Sequence, residues 1–200
     1  MKLLLTFLIM LAGMYGSAQI TLSLPEYNIL YRGYTNRVEV ATQTRVKARS
    51  ISLSSADAQF VHQEDHQWNI ITTTPKDTIE IMLLHTKTRK IIDRMVFRVK
   101  DLPNPQLFVG ATQVEGKISK QENRLFARYT DSPLRAEFSV LGGALAMDND
   151  PRIFQFEGNR LGADYLGYVK NMPAGTIVTI KALVIGVDKK ERIIWGKYVL

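Results

Sequence analysis

His62-Gln63-Glu64-Asp65-His66 is the densest group of chemically capable side chains in the sequence. Two imidazoles and two carboxylates form a donor set that Zn²⁺ accepts. The spacing argues against a metal. A histidine pair four apart converges on one ion when it lies on a helix, but this stretch joins two short apolar runs and reads as strand, turn, strand. Glutamate does not follow His62, so the metalloprotease pattern H-E-x-x-H is missing. A solvated hairpin tip is the expected form.

Asp148-Asn149-Asp150 offers oxygens to Ca²⁺ but lacks the mid-loop glycine and closing glutamate of an EF-hand; an Asx turn accounts for it better. His85 stands at a strand end without an evident partner. Three histidines and no cysteine leave few ways to assemble a nucleophile and its base. They also rule out a thiolate metal site and disulfide staples, so burial must supply the stability. No G-x-S-x-G elbow and no glycine-rich phosphate loop is present. Paired carboxylates for glycoside hydrolysis are brought together only by folding, and the sequence leaves them open. No catalytic, cofactor-binding or metal-ligating residue is assigned, no cofactor is expected, and the chain reads as a non-enzyme.

The elements that would carry any site begin after a leader. Lys2 is a minimal positive start, Leu3 to Met14 is an apolar run, and Gly16-Ser17-Ala18 offers small residues for cleavage before Gln19. Residues 1–18 are therefore expected to be a signal peptide. The run is short for a bilayer span, which needs about 20 residues. No cysteine follows it, which excludes lipoprotein processing. No later stretch is long and apolar enough to span a membrane. The expected location is the periplasm, with the cell surface or secretion as further destinations. The net charge of +7 fits an acidic surface, but the Lys and Arg residues are dispersed, and nucleic-acid binding is not expected of an exported protein.

Hydrophobic residues are 46% and charged residues 22% of the 200, enough for packed cores. From Ile20 to Asp101 the pattern is short strands with turns between them. Arg37-Val38-Glu39-Val40 alternates, Val46, Ala48, Ile51 and Leu53 continue in short pieces, and Ala58 to Ile71 predicts two strands joined at His62 to His66. Asn69 to Thr74 reads as strand, Pro75-Lys76-Asp77 as turn, Thr78 to Leu84 as strand, and Ile91 to Lys100 returns the chain. Gly33 and Asn36 suit turn positions, and Trp68 suits a core. From Leu102 the pattern repeats. Strands are expected at Gln106 to Thr112, Val114 to Ile118, Arg124 to Tyr129, Arg135 to Val140, Ile153 to Glu157, Ile177 to Ile185 and Arg192 to Leu200. Ala136, Phe138 and Val140 should face inward, and Gly142-Gly143 suggests a bulge. Tyr165 to Asn171 fits neither period. No window shows a helical repeat. The fold class is all-β: two tandem immunoglobulin-like β-sandwich domains after a signal peptide, at 20–101 and 102–200.

Between them Phe97-Arg98-Val99-Lys100-Asp101-Leu102-Pro103-Asn104-Pro105 starts as an alternating strand. It then meets two prolines, which donate no ladder hydrogen bond and hold their predecessors extended. Leu102, Pro103, Asn104 and Pro105 are expected to form a short, stiff interdomain joint.

That stretch resembles the F-x-V-K-x-[IL]-P-[DN]-P joint of the C-terminal periplasmic region of GldM, a component of the Bacteroidetes gliding motor and type IX secretion system. Asn28-Ile29-Leu30-Tyr31-Arg32-Gly33-Tyr34-Thr35-Asn36 is similar to that region's N-V-L-Y-x-G-x-x-N-P opening, with Arg37 where proline is common. Glu137-Phe138-Ser139-Val140 followed by Met172-Pro173-Ala174-Gly175-Thr176 resembles its last domain. GldM itself begins with a transmembrane helix and a helical domain, which this sequence replaces with a leader. The resemblance implies a soluble, truncated relative with immunoglobulin-like domains, dimerisation and protein partners in the cell envelope. The expected function is a non-enzymatic structural or interaction protein accessory to secretion or gliding. The alternative is a binding or adhesion module for polysaccharide or peptide, using aromatics such as Tyr31, Tyr34 and Tyr168.

Overall fold

The computed structural model describes residues 20–23, 28–42, 50–64 and 66–200. The expected signal peptide, the pieces at Val46 and Ala48, and Asp65 lie outside these residues. The chain divides into two compact units, Met1–Lys100 and Asp101–Leu200. Both are all-β sandwiches.

In the first unit the strands are β1 (Ile20–Ser23), β2 (Ile29–Tyr31), β3 (Asn36–Thr42), β4 (Ile51–Ser54), β5 (Gln59–His62), β6 (Gln67–Ile71), β7 (Thr78–His85) and β8 (Ile91–Lys100). They form two four-stranded sheets in the orders β1-β3-β6-β5 and β2-β8-β7-β4. Alternation decides what is buried. Val38, Val40 and Ile70 of one sheet meet Leu30, Ile79, Ile81, Leu83, Phe97 and Val99 of the other. The residues between them, such as Arg37, Glu39 and Arg98, face water. A fully buried side chain of this size is worth about 2–3 kcal/mol over an exposed one.

The β2–β3 turn is fastened by a side chain. Gly33 takes the left-handed backbone (φ 69°). Asn36 does not; it opens β3, buried, and accepts from the Tyr31 N–H (2.7 Å) while donating to the Tyr31, Tyr34 and Ile70 carbonyls. Its value is therefore hydrogen bonding and not tolerance of positive φ. Strand β6 stops at Ile71, short of the expected Thr74, because the buried Thr72 hydroxyl donates to the Asp57 carbonyl instead (2.7 Å).

In the second unit β9 (Gln106–Val109), β10 (Thr112–Gln113) and β11 (Leu125–Arg128) form a sheet ordered β10-β9-β11. Four longer strands, β12 (Phe138–Met147), β13 (Ile153–Glu157), β14 (Ile177–Gly186) and β15 (Glu191–Val199), form a second sheet ordered β13-β12-β14-β15. Leu107, Val109 and Leu125 pack against Leu145, Val178, Ile180, Val184 and Tyr198. The Tyr198 hydroxyl, fully buried, donates to the Leu107 carbonyl (2.7 Å), which ties the two sheets together.

Three expectations are corrected here. The strand at Gln106 to Thr112 is split in two, because Gly110 turns with φ 58°. No strand runs from Val114 to Ile118; Glu115 has φ 69°, and only Lys117 makes an isolated bridge, to Val199. The unassigned stretch from Tyr165 holds a helix, α1 (Ala163–Val169), whose Tyr165 and Val169 fall one turn apart and are both buried. Pro173 follows soon after it.

Gly142-Gly143 lies where the β12–β14 register shifts, and β12 continues through it. Gly142 has φ 154°, and an added Cβ would stand 2.8 Å from the Phe156 carbonyl oxygen. At Gly143 a Cβ would stand 2.0 Å from the Lys181 carbonyl oxygen. These glycines are what lets one strand stay continuous between two neighbours.

Candidate interaction surface

His62 closes β5 opposite Trp68, and the two rings meet edge to face at 4.7 Å. The hairpin that follows is closed by the Gln63 N–H to the Gln67 carbonyl and the Gln67 N–H to the Glu64 carbonyl. Among the described residues no group of three or more His, Asp or Glu is placed to hold a metal. Trp68 packs against the first core from a partly buried position. His85 Nδ1 accepts from the Thr88 N–H in the β7–β8 turn. A cavity of about 440 Å³ lies beside β5 and β6, between Asp57, Gln59 and Thr74. Its carboxylate is already engaged: Asp57 Oδ2 lies 2.8 Å from Lys76 Nζ, and Thr74 Oγ1 donates to Oδ1.

The three tyrosines singled out above are held within their own units. Tyr31 and Tyr34 are half-buried and meet edge to face at 6.5 Å. Tyr168 lies against Phe154 with the Arg152 guanidinium over its ring (4.2 Å), and its hydroxyl donates to Asp150 Oδ2. The Tyr168 hydrogen bond and the Arg152 N–H hold the Asp150 carboxyl below its usual range against the opposing effect of burial. The same bond, then burial, pushes the Tyr168 hydroxyl up. Asp148-Asn149-Asp150 is thus a turn pinned to α1, with Asn149 at φ 64°.

The joint residues belong to the second unit, and two of their carbonyls are captured there. The Tyr129 hydroxyl donates to the Pro103 carbonyl (2.7 Å), and Arg192 donates to the Leu102 carbonyl (3.2 Å). Leu102 and Pro105 are buried, while Pro103 and Asn104 are exposed. Arg192 also donates to the Lys190 carbonyl (2.9 Å) and to both carboxylate oxygens of Asp188, and the Arg192 and Asp188 side chains are 7% and 1% exposed. Burial works against the charge on Asp188. Hydrogen bonds from Arg192 and the Lys190 N–H, with the Arg192 charge, outweigh it and hold the carboxyl below its ordinary value. Asp101 pairs with Lys190 (2.7 Å).

The outer face of the β13-β12-β14-β15 sheet carries several exposed apolar side chains. Register places three rows across it: Ile153-Ala146-Thr179-Lys197, Gln155-Ala144-Lys181-Trp195, and Glu157-Gly142-Leu183-Ile193. Ile153 is 69% exposed, Trp195 60% and Ile193 51%. The β12 positions in these rows are alanine, alanine and glycine, so the face is low along β12, while β14 beside it carries Thr179, Lys181 and Leu183. Leu141 adds a further exposed apolar side chain where β12 bulges. Lys181 Nζ lies 5.2 Å from the Trp195 ring centroid. Exposed apolar side chains left together on a sheet face, as Ile193 and Trp195 are on β15, mark a candidate interaction site. The sequence read Trp195 only as a strand residue. Which face it occupies depends on the β14–β15 register, although its spacing of two from Ile193 and opposite parity to Ile194 and Tyr198 carried the signal.

No protein-family model matches the chain, and no curated protein matches it. Among solved structures it is similar to the Yersinia pseudotuberculosis adhesin InvE, at 12% identity and a TM-score of 0.32, over 93% of this chain and 61% of that one. It is also similar to SGBP-B of the Bacteroides ovatus mixed-linkage glucan utilization locus, solved with a mixed-linkage heptasaccharide. There the identity is 10% and the TM-score 0.31, over 90% of this chain and 45% of that one. The chain thus spans less than two thirds of either neighbour. Neither correspondence is close enough to carry a functional conclusion.

Proposed function

We propose that the protein is a non-enzymatic, exported interaction protein of the cell envelope that works by binding other proteins. The observation that carries this reading is the open outer face of the β13-β12-β14-β15 sheet, with Ile153, Ile193 and Trp195 standing exposed around small residues. A surface of that kind stabilises a complex by removing apolar area from water, with exposed Lys181 on the inner strand β14 and Lys197 on the edge strand β15 favouring an acidic partner. The resemblance of Asn28 to Asn36 and of Phe97 to Pro105 to the periplasmic end of GldM supports a partner within gliding or type IX secretion machinery. It also supports a periplasmic location and the capacity to dimerise.

The test is capture of the tagged protein from its own cells after brief cross-linking, with and without Ile153→Lys. The reading expects a secretion- or gliding-motor subunit to be recovered and the substitution to abolish the recovery. Retention of a polysaccharide on a glycan array, lost on Trp195→Ala, together with no protein partner, would overturn it in favour of an adhesion module.

A further inference from the structure

The same face ends at an edge that is only half used. Strand β15 is the last in its sheet, and its even-numbered residues bond to the β14 side: the Leu200 N–H donates to the Thr176 carbonyl, and the Lys190 carbonyl accepts from the Gly186 N–H. The odd-numbered residues therefore turn their N–H and C=O groups outward. From Lys197 onward the chain fills that outward line itself. The Glu115 N–H donates to the Lys197 carbonyl (2.7 Å), the Ile118 N–H donates to the Val199 carbonyl (2.8 Å), and the Val199 N–H donates to the Gly116 carbonyl (3.1 Å). Lys117 and Val199 form a parallel bridge. Upstream, Thr112 and Gln113 have already turned away to pair with β9, so the line beside Glu191, Ile193 and Trp195 has no strand in the sheet order.

We infer that this open half of the β15 edge takes an extended segment of a partner protein as an added strand, which rests on the interaction reading above and gives that reading its mode of contact. The edge is competent, because residues 115–118 of the same chain already use its continuation. Main-chain bonds at Ile193 and Trp195 supply the ladder, and the side chains of those two residues, exposed on the outer face, give the added strand apolar neighbours. Lys197 and Lys181, beside Trp195, favour acidic residues at that end of the added strand, away from Glu191 at the other end. A second copy of β15 is a poorer occupant. Its own edge is filled from Lys197 onward, so antiparallel pairing at Glu191 to Trp195 would drive residues 115 and 116 of each copy against the 189–190 turn of the other.

The experiment uses the full chain and an end-capped synthetic peptide of alternating valine and glutamate, with alternating valine and lysine as control. Amide hydrogen exchange and backbone chemical shifts are read with and without peptide. The acidic peptide should slow exchange at the Ile193 and Trp195 amides and leave Ile194, already bonded to β14, unchanged. Ile193→Pro removes only an outward N–H, a substitution that edge strands accept. It should weaken the peptide by about tenfold or more while the unfolding midpoint stays near that of the parent. If Ile193→Pro unfolds the protein, Ile193→Glu, which keeps the N–H and sets a like charge against the acidic strand, must weaken the peptide instead. Protection at Ile153 and Ala144 without protection at Ile193, equal binding of both peptides, or a concentration-dependent dimer joined at β15 would each overturn the inference. Loss of peptide binding alongside continued capture of a cellular partner through Ile153 would sink the edge proposal and leave the interaction reading standing. Peptide binding with no cellular partner would do the reverse.

Discussion

Arg192 does three jobs from one guanidinium. It neutralises the buried Asp188 carboxylate, it holds the Leu102 carbonyl, and it lies 5.6 Å from the Phe138 ring centroid. Removing it leaves a carboxylate in the protein interior with no counter-charge, which costs about 3 kcal/mol or more. Arg192→Ala should therefore lower the stability of the second unit by about that amount in urea titration. Arg192→Lys should recover only part of it, since an ammonium cannot make the paired contact. A loss below about 1 kcal/mol for Arg192→Ala would show the pair to be a surface one in practice. The sequence placed Asp188 in a hairpin connection and Arg192 at the start of the closing strand. Their burial comes from the approach of Leu102, which lies about ninety positions away and which no local pattern reveals.

At the scale of the element, alternation was a good guide and face assignment was not. Arg37 to Val40, Thr78 to Leu84 and Arg124 to Tyr129 announce their strands because every second residue is apolar and buried. Helix α1 does not announce itself, since seven residues with only Tyr165 and Val169 in the core are too few to set a period. The candidate surface stayed hidden for a different reason. Ile153 comes from one stretch and Ile193 and Trp195 from another, both read as ordinary strand, and only pairing through β12 and β14 puts them on one face. The double glycine was legible as an irregularity, and its packing makes a sharp prediction. Gly143→Ala would force the Lys181 backbone and the Phe156 ring aside, so it should destabilise the second unit by about 1–3 kcal/mol in thermal or urea unfolding. Gly158→Ala, where an added Cβ meets nothing within 4 Å but φ is 65°, should cost less. Equal costs at the two sites would contradict the close approach of β12 and β14.

For the molecule as a whole, pH should act on the second unit from both sides. Burial pushes the Tyr165 hydroxyl from 10.0 up to about 12 and raises Tyr198 as well. The fold favours the neutral phenols, so their contribution is complete below pH 10 and is lost as pH rises through about 12. Asp188 and Asp150 are held below the ordinary carboxyl value of 3.8, so their contribution is present above that value and is lost as pH falls beneath it. Unfolding midpoints of the second unit should therefore be flat between these limits and drop beyond each. Tyr198→Phe should lose stability at neutral pH, because the Leu107 carbonyl is left unbonded, yet fall less steeply above pH 10. A parent protein whose midpoint is unchanged from pH 9 to 12 would contradict the burial of both phenols.

The proposed contact lies on the outer face of the β13-β12-β14-β15 sheet. A photoreactive amino acid placed singly at Ile153, Trp195, Val61 and Val96, all exposed positions, tests this in living cells. Adducts with a protein at Ile153 and Trp195, and none at Val61 and Val96 on the first unit, are the expected result. Adducts confined to Val61 or Val96 would place the contact elsewhere and contradict it.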